Sequence, residues 1–179
     1  MSTSVSQDLR FPIGRFAMPP VADAAWRRDA IAAIAETPTN LREAIAGWLD
    51  AQLDTPYRDG GWTVRQVVHH LADSHINACT RFRLALTEEN PTIKPYDEAT
   101  WAELPDARTM GVEVSLLLLD ALHERWTMLL HAMGEPDFAR TLNHPERGPM
   151  SLDTMLGLYA WHGRHHVAHA TALAQRMGW

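Results

Sequence analysis

From Ser151 to Met177 the chain contains no proline, and at about 100° per residue one helical face gathers Met155, Leu158, Tyr159, His162, His166, His169, Leu173 and Met177. An apolar stripe thus runs into a block of imidazoles and continues beyond it. A stripe of this length must be buried against other helices, so the histidines enter an apolar interior, where every unsatisfied nitrogen costs free energy. One buried histidine is ordinarily a hydrogen-bonded core residue. Three in register need something to hold their nitrogens together, and a divalent cation does so, since neutral imidazole suits zinc, nickel or iron. His162 and His166, four residues apart, aim their rings at one point. His165 sits about 60–80° off the face, where it flanks the site or meets solvent. His169 lies on the face as a ligand, a supporting group, a pocket wall or a core residue.

The rest of the chain reads as helices separated by proline and glycine. Residues 1–21 are irregular, with Pro12, Pro19 and Pro20. A helical segment follows from Asp23 to Glu36, Pro38 interrupts it, and helical spacing resumes from Leu41 to Leu53 through Ile45 and Leu49. DTPYRDGG (54–61) is a loop. Thr63 with Gln66 forms a capping box that starts a helix over 64–87. Residues 90–110 are a long connection with three prolines, of the kind that often carries function. A third helix spans 112–133, a Pro/Gly-rich link spans 134–150, and Ser151 caps the fourth helix, with Asp153 favourable in its first turn. No alternating strand pattern is evident. The expectation is an all-α four-helix bundle with long crossover loops, one domain over 22–179, and a site on its inner helix faces.

A third ligand must come from another helix, and 64–87 offers His69, His70 and His75. Its apolar face is Val64, Val67, Val68, Leu71, Ala78 and Phe82. His75 lies at the centre of that face, His70 on its edge, and His69 points away, so periodicity ranks His75 first and His70 second.

Composition narrows the classes further. Sixteen basic and 22 acidic residues give a formal charge of −6, which argues against general nucleic-acid binding. The single cysteine, Cys79, excludes an intrachain disulfide framework and a cysteine zinc site, and reads as a small core residue. The first residues lack the apolar core of a signal peptide, and the apolar run Leu116–Leu119 is far too short for a membrane span. A reducing cytoplasm is the expected location.

WTVRQVVHHLADSH (62–75), followed late in the chain by HGRHHVAH (162–169), resembles the DinB/YfiT-like superfamily, and DTPYRDGGWT, RFRLALTEENP, PYDEATWAEL and LYAWH add to the likeness. The resemblance spans nearly the whole chain after the first dozen residues. It is strongest to the YfiT-like branch, once called metal-dependent hydrolases and now associated with S-transfer of low-molecular-weight thiols such as bacillithiol. It implies a bundle of the DinB/YfiT type with a three-histidine site, and carries the ligands onto His70, His162 and His166, overruling the wheel's preference for His75. Where many DinB relatives have Gln, this chain has His169. The resemblance also implies a homodimer.

Three histidines on one divalent ion (zinc, or nickel or iron) leave a coordination position open. Filled by water it yields a hydroxide nucleophile, and filled by a thiol a thiolate. The same ligand set serves hydrolysis and thiol transfer; the resemblance, together with the open site, implies a metal-dependent S-transferase that conjugates a thiol, bacillithiol or mycothiol, to electrophiles. The alternatives are a hydrolase of small amides or esters and a non-catalytic stress-response metal-binding module. Tyr57, Arg58, Tyr159, Arg164 and His169 are candidate substrate-binding groups, the arginines for anionic carboxylates. Asp73 is a candidate to orient a ligand imidazole. There is no HExxH pattern to supply a metalloprotease base.

Overall fold

The computed structural model describes residues 8–179; the first seven residues of the expected irregular segment lie outside it, and residues 8–23 form only turns and bends. In chain order the elements are α1 (Ala24–Ala44), α2 (Asp50–Leu53), α3 (Val64–Thr87), α4 (Glu98–Ala102), α5 (Pro105–Thr109), α6 (Glu113–Ala132), α7 (Glu135–Phe138), β1 (Thr141–His144), β2 (Gly148–Ser151) and α8 (Leu152–Met177). The four long helices form the expected bundle. α1 packs on α8 and α6, and α3 packs on the same two helices from the other side.

Local chemistry sets the ends of the two histidine-bearing helices. Thr63 Oγ1 accepts from Gln66 N (3.2 Å), and Gln66 Oε1 accepts from Thr63 N (2.9 Å), so the capping box starts α3 where the sequence places it. Ser151 Oγ accepts from Thr154 N (3.1 Å) at the start of α8, and Gly178, at φ +71°, ends it in the left-handed conformation that glycine adopts without strain.

Three expectations need correction. Pro38 does not interrupt the first helix: α1 runs through it to Ala44, where two segments were expected. A proline inside a helix withholds the N–H that would bond the carbonyl four residues earlier. Here that carbonyl, Ile34 O, accepts instead from His123 Nδ1 on α6, at 2.6 Å. The long links are not shapeless either: 90–110 holds α4 and α5, and 134–150 holds α7 and the antiparallel pair β1–β2, in register from Thr141 opposite Ser151 to His144 opposite Gly148. These four-residue strands are too short to show alternation. Finally, Met177 is exposed, so the apolar face of α8 ends at Leu173.

The core has two parts. One contains Ile34, Ala78, Phe82, Trp126, Leu130, Leu142, Leu152 and Leu156. The other contains Leu41, Val64, Val68, Leu71, Leu116, Leu119, Ala170 and Leu173. Along α3, α6 and α8 the histidines fall between these sets: His75 between Leu71 and Ala78, His123 between Leu119 and Trp126, and His162 to His169 between Leu156 and Ala170. A layer of imidazoles separates two apolar clusters. Among the described residues no helix is long and apolar enough to cross a membrane.

Candidate metal centre

His70 comes from α3, and His162 and His166 from successive turns of α8. The Nε2 atom of His162 lies 3.3 Å from Nε2 of His70 and 3.2 Å from Nε2 of His166. The three rings present one nitrogen each within a single small volume. Trp62 packs on the outer side of His70, with ring centroids 4.7 Å apart.

Electrostatics keeps these rings neutral. Burial lowers the pKa of His70 to about 4 and those of His162 and His166 well below the usual range; in each case the neighbouring imidazoles push the same way. A neutral imidazole has one N–H and one lone pair, and three Nε2 atoms meeting at one point cannot all be satisfied by one another. The donor set fits a divalent cation. Bonds of about 2.0–2.1 Å in tetrahedral geometry separate two nitrogens by about 3.3 Å, against the 3.2 and 3.3 Å found here.

His75, which the wheel ranked first, is fully buried behind this cluster. Its Nε2 lies 3.2 Å from His162 Nδ1 and its Nδ1 lies 2.8 Å from His123 Nε2. Both nitrogens face other imidazoles, which leaves none for the point where the Nε2 atoms meet. His169 lies behind His166, Nδ1 to Nδ1 at 3.3 Å, and its Nε2 donates to Arg10 O at 3.3 Å. His165, His166 and His169 also bring nitrogens together, but in that group the Nδ1 atoms of His166 and His169 already face each other. His165 is buried rather than solvent-facing: it stacks on Trp161 at 4.3 Å, and its Nδ1 has no hydrogen-bond partner.

The candidate substrate groups scatter. Tyr57 stacks on His169, with centroids 3.9 Å apart. Arg58 donates to the neighbouring Asp59 O and lines a surface cleft with Arg10 and Arg176, away from the three Nε2 atoms. Arg164 is exposed and faces a groove between α8 and α1, beside Asn40 and Glu43. Tyr159 lines the cavity beside His162, its ring 5.8 Å from that of His162 and its hydroxyl accepting from Arg81 Nη1 at 3.3 Å. Burial raises the Tyr159 phenol, so it is a neutral hydroxyl at neutral pH. Asp73 is half-buried, and burial raises its carboxyl; among the described residues no hydrogen bond joins it to an imidazole.

A cavity of about 470 Å³ opens onto His162. Tyr159, Tyr96, Ser74, Arg81, His144 and Arg147 line it together with Phe11, Arg15 and Trp161, and Glu98 and Glu146 are its carboxylates. Among the described residues none of Arg15, Arg81 and Arg147 is ion-paired; Arg15 lies over the Phe11 ring at 4.0 Å. The sequence reading missed Arg81, which its position reveals: eleven residues, three turns, after His70, it shares that residue's face. His144 and Arg147 arrive on the β1–β2 hairpin and had no local signal.

Residues 33–170 match the model of the DinB superfamily. A protein of Bacillus mycoides (strain KBAB4) named "putative metal-dependent hydrolase" is 53% identical over 173 residues, covering 97% of this chain and 99% of its own. One of Bacillus cereus (strain B4264), with the same name, is 54% identical over 176 residues, covering 96% and 99%. Among solved structures, YfiT from Bacillus subtilis, described as "a probable metal-dependent hydrolase with an unusual four-helix bundle topology", superposes with a TM-score of 0.93 at 49% identity, covering 96% of this chain and 98% of its own.

Proposed function

The chain belongs to the DinB superfamily, and from that premise we propose that it is a divalent-metal-dependent S-transferase whose ion is held by His70, His162 and His166. The observation that carries this reading is the meeting of the Nε2 atoms of His70, His162 and His166, two of them on buried residues and His162 half-buried at the cavity, beside three guanidiniums that have no ion-pair partner among the described residues. Held by His70, His162 and His166, a divalent ion would supply the chemistry of lowering the pKa of a bound thiol or water.

The chain's own groups supply binding and orientation. Arg81 and Arg147 offer forked donors to the carboxylates of an anionic thiol, of the bacillithiol or mycothiol kind. Arg81 is itself placed by its bond to the Tyr159 hydroxyl. Phe11 and Trp161 give the cavity an apolar side for the electrophile. The thiol sulfur forms a bond to the electrophilic carbon, the leaving group departs with its electron pair, and the thiol proton passes to solvent through the open cavity.

The test is incubation of metal-loaded protein with bacillithiol, mycothiol or cysteine and a bimane or haloarene. The expected result is a conjugation rate above the metal-free control that chelation abolishes. No such rate with any thiol refutes the transferase reading. A second reading, hydrolysis of small amides or esters, is favoured by the names of the relatives, and thiol-independent turnover that chelation abolishes supports it. Retained metal with neither activity points to a non-catalytic metal-binding module. The proposal includes a homodimer: α6 leaves Val114, Leu117, Leu118 and Met128 exposed, an apolar surface that a second copy would cover. A monomer mass by light scattering removes that part.

A further inference from the structure

Five of the ten histidines form two chains of contacts that start at two of the proposed ligands and end at backbone oxygens. The first runs His162 Nδ1 to His75 Nε2 (3.2 Å), His75 Nδ1 to His123 Nε2 (2.8 Å), and His123 Nδ1 to Ile34 O (2.6 Å). The second runs His166 Nδ1 to His169 Nδ1 (3.3 Å) and His169 Nε2 to Arg10 O (3.3 Å). His70, the third proposed ligand, meets both chains at the centre.

A carbonyl oxygen only accepts, and this fixes every proton upstream. Ile34 O requires His123 Nδ1–H. A neutral His123 then has a bare Nε2, which requires His75 Nδ1–H. His75 in turn has a bare Nε2, which requires His162 Nδ1–H. Three neutral rings carry three N–H groups, all three are used, and one lone pair is left over, on His162 Nε2. The second chain gives the same answer: Arg10 O requires His169 Nε2–H, His169 Nδ1 then accepts from His166 Nδ1–H, and the lone pair left over is on His166 Nε2. The two bare Nε2 atoms face each other at 3.2 Å beside the cavity; reversing protons along the longer chain moves that unprotonated contact to a buried pair such as His75 and His123, where an unmade bond costs more than the bond itself contributes.

The anchor of the longer chain is written into α1. Ile34 O is available because residue 38, whose N–H would have bonded it, is proline.

We propose that His75, His123 and His169 are positioning residues: they lock His162 and His166 in the tautomer whose Nε2 lone pair faces the metal, and the proline-freed carbonyl of Ile34 sets the direction of the longer relay. The chain ends on a carbonyl, which has no proton to pass on, so it orients the ligand and is not a proton wire to solvent. The inference rests on the three-histidine metal reading for its function; for the tautomers it rests on the contacts together with the cavity beside His162, because five neutral rings bring five N–H groups to six contacts, and the one contact without a proton is assigned to His162 Nε2 and His166 Nε2, 3.2 Å apart, where solvent or a cation can take the lone pairs.

Two measurements separate the two. In metal-free protein, nitrogen NMR of the histidine rings is expected to show His162 and His166 protonated at Nδ1 and bare at Nε2; protonation at Nε2 in either overturns the relay, whether or not the protein binds metal. Chelator competition with zinc then reads affinity. His75→Leu keeps the volume and removes both bonds, and a loss of roughly 10–100-fold is expected. His75→Gln, whose amide can donate to His123 and accept from His162, is expected to recover most of that loss. Leu and Gln variants with equal zinc affinity, both folded by circular dichroism, overturn the proposal. A wild type that binds no zinc yet shows the expected tautomers refutes the metal reading and leaves the relay standing.

Discussion

Lowering the pH from 7 to 5 on metal-free protein should remove about 4 kcal/mol of stability through two histidines alone. His70 and His123 are 6% and 2% exposed, and burial holds each at about 4, whereas an unfolded histidine titrates near 6.5. Because the folded value is the lower one, the unfolded chain binds more protons between the two. Stability is therefore complete above about 6.5 and falls as pH drops toward about 4. Integrated from pH 7 to pH 5, the linkage is worth about 2 kcal/mol for each group. His75, His162 and His166, whose burial depresses them further, act in the same direction. A loss of this size is a large part of the 5–15 kcal/mol that typically holds a domain together. In urea, with a slope of about 2 kcal/mol per molar, it moves the midpoint down by about 2 M. The assay is a series of urea melts between pH 5 and 7.5 in the presence of chelator. A midpoint that stays within a few tenths of a molar across that range would show that these rings are hydrated, and the reasoning from a dry imidazole layer would fall.

Three further perturbations have defined outcomes. Gly163→Ala places a Cβ onto the Thr37 side chain at the α1–α8 contact, and overpacking of this kind should cost about 1–3 kcal/mol in a urea melt. Arg27 and Asp153 form a bidentate, mostly buried pair between α1 and α8 (2.8 and 2.7 Å), so a double-mutant cycle of Arg27→Met and Asp153→Asn should give a coupling of about 1–2 kcal/mol, where a solvated pair would give near zero. Pro38→Ala returns an N–H that competes for Ile34 O, so zinc affinity should fall by chelator competition while thermal stability holds or rises; unchanged affinity would count against the role given to that carbonyl.

Where the histidine-bearing helices begin was legible because their signals are local. Thr63 with Gln66, and Ser151, are capping chemistry that any surrounding fold leaves intact. Pro38 was misread because its cost is local while its compensation comes from His123, 85 residues further along the chain. His75 shows the same limit: a helical wheel gives the face a residue occupies, and that face was right, but not which of two nitrogens meets which neighbour. The cavity was least legible. Arg81 shares the face of His70, yet Arg147 and His144 reach the site only because the β1–β2 hairpin folds back over α3 and α8, which no local pattern announces.

The imidazole layer between the two apolar clusters also determines how α8 can sit. A helix whose buried face is only leucine, methionine and alanine could slide one turn, about 5.4 Å, along its neighbours at modest cost, because one apolar contact substitutes for another. Such a slide in α8 would carry His162 away from His75 and Gly163 away from Thr37, leaving donors without acceptors and a side chain where only glycine fits. The alignment of α8 along the bundle axis is thus keyed at one level by polar contacts that have no equivalent a turn above or below. A polar layer that weakens the core as a source of burial makes it a source of uniqueness, and a variant with that layer replaced by leucine would be expected to gain stability and lose its single alignment.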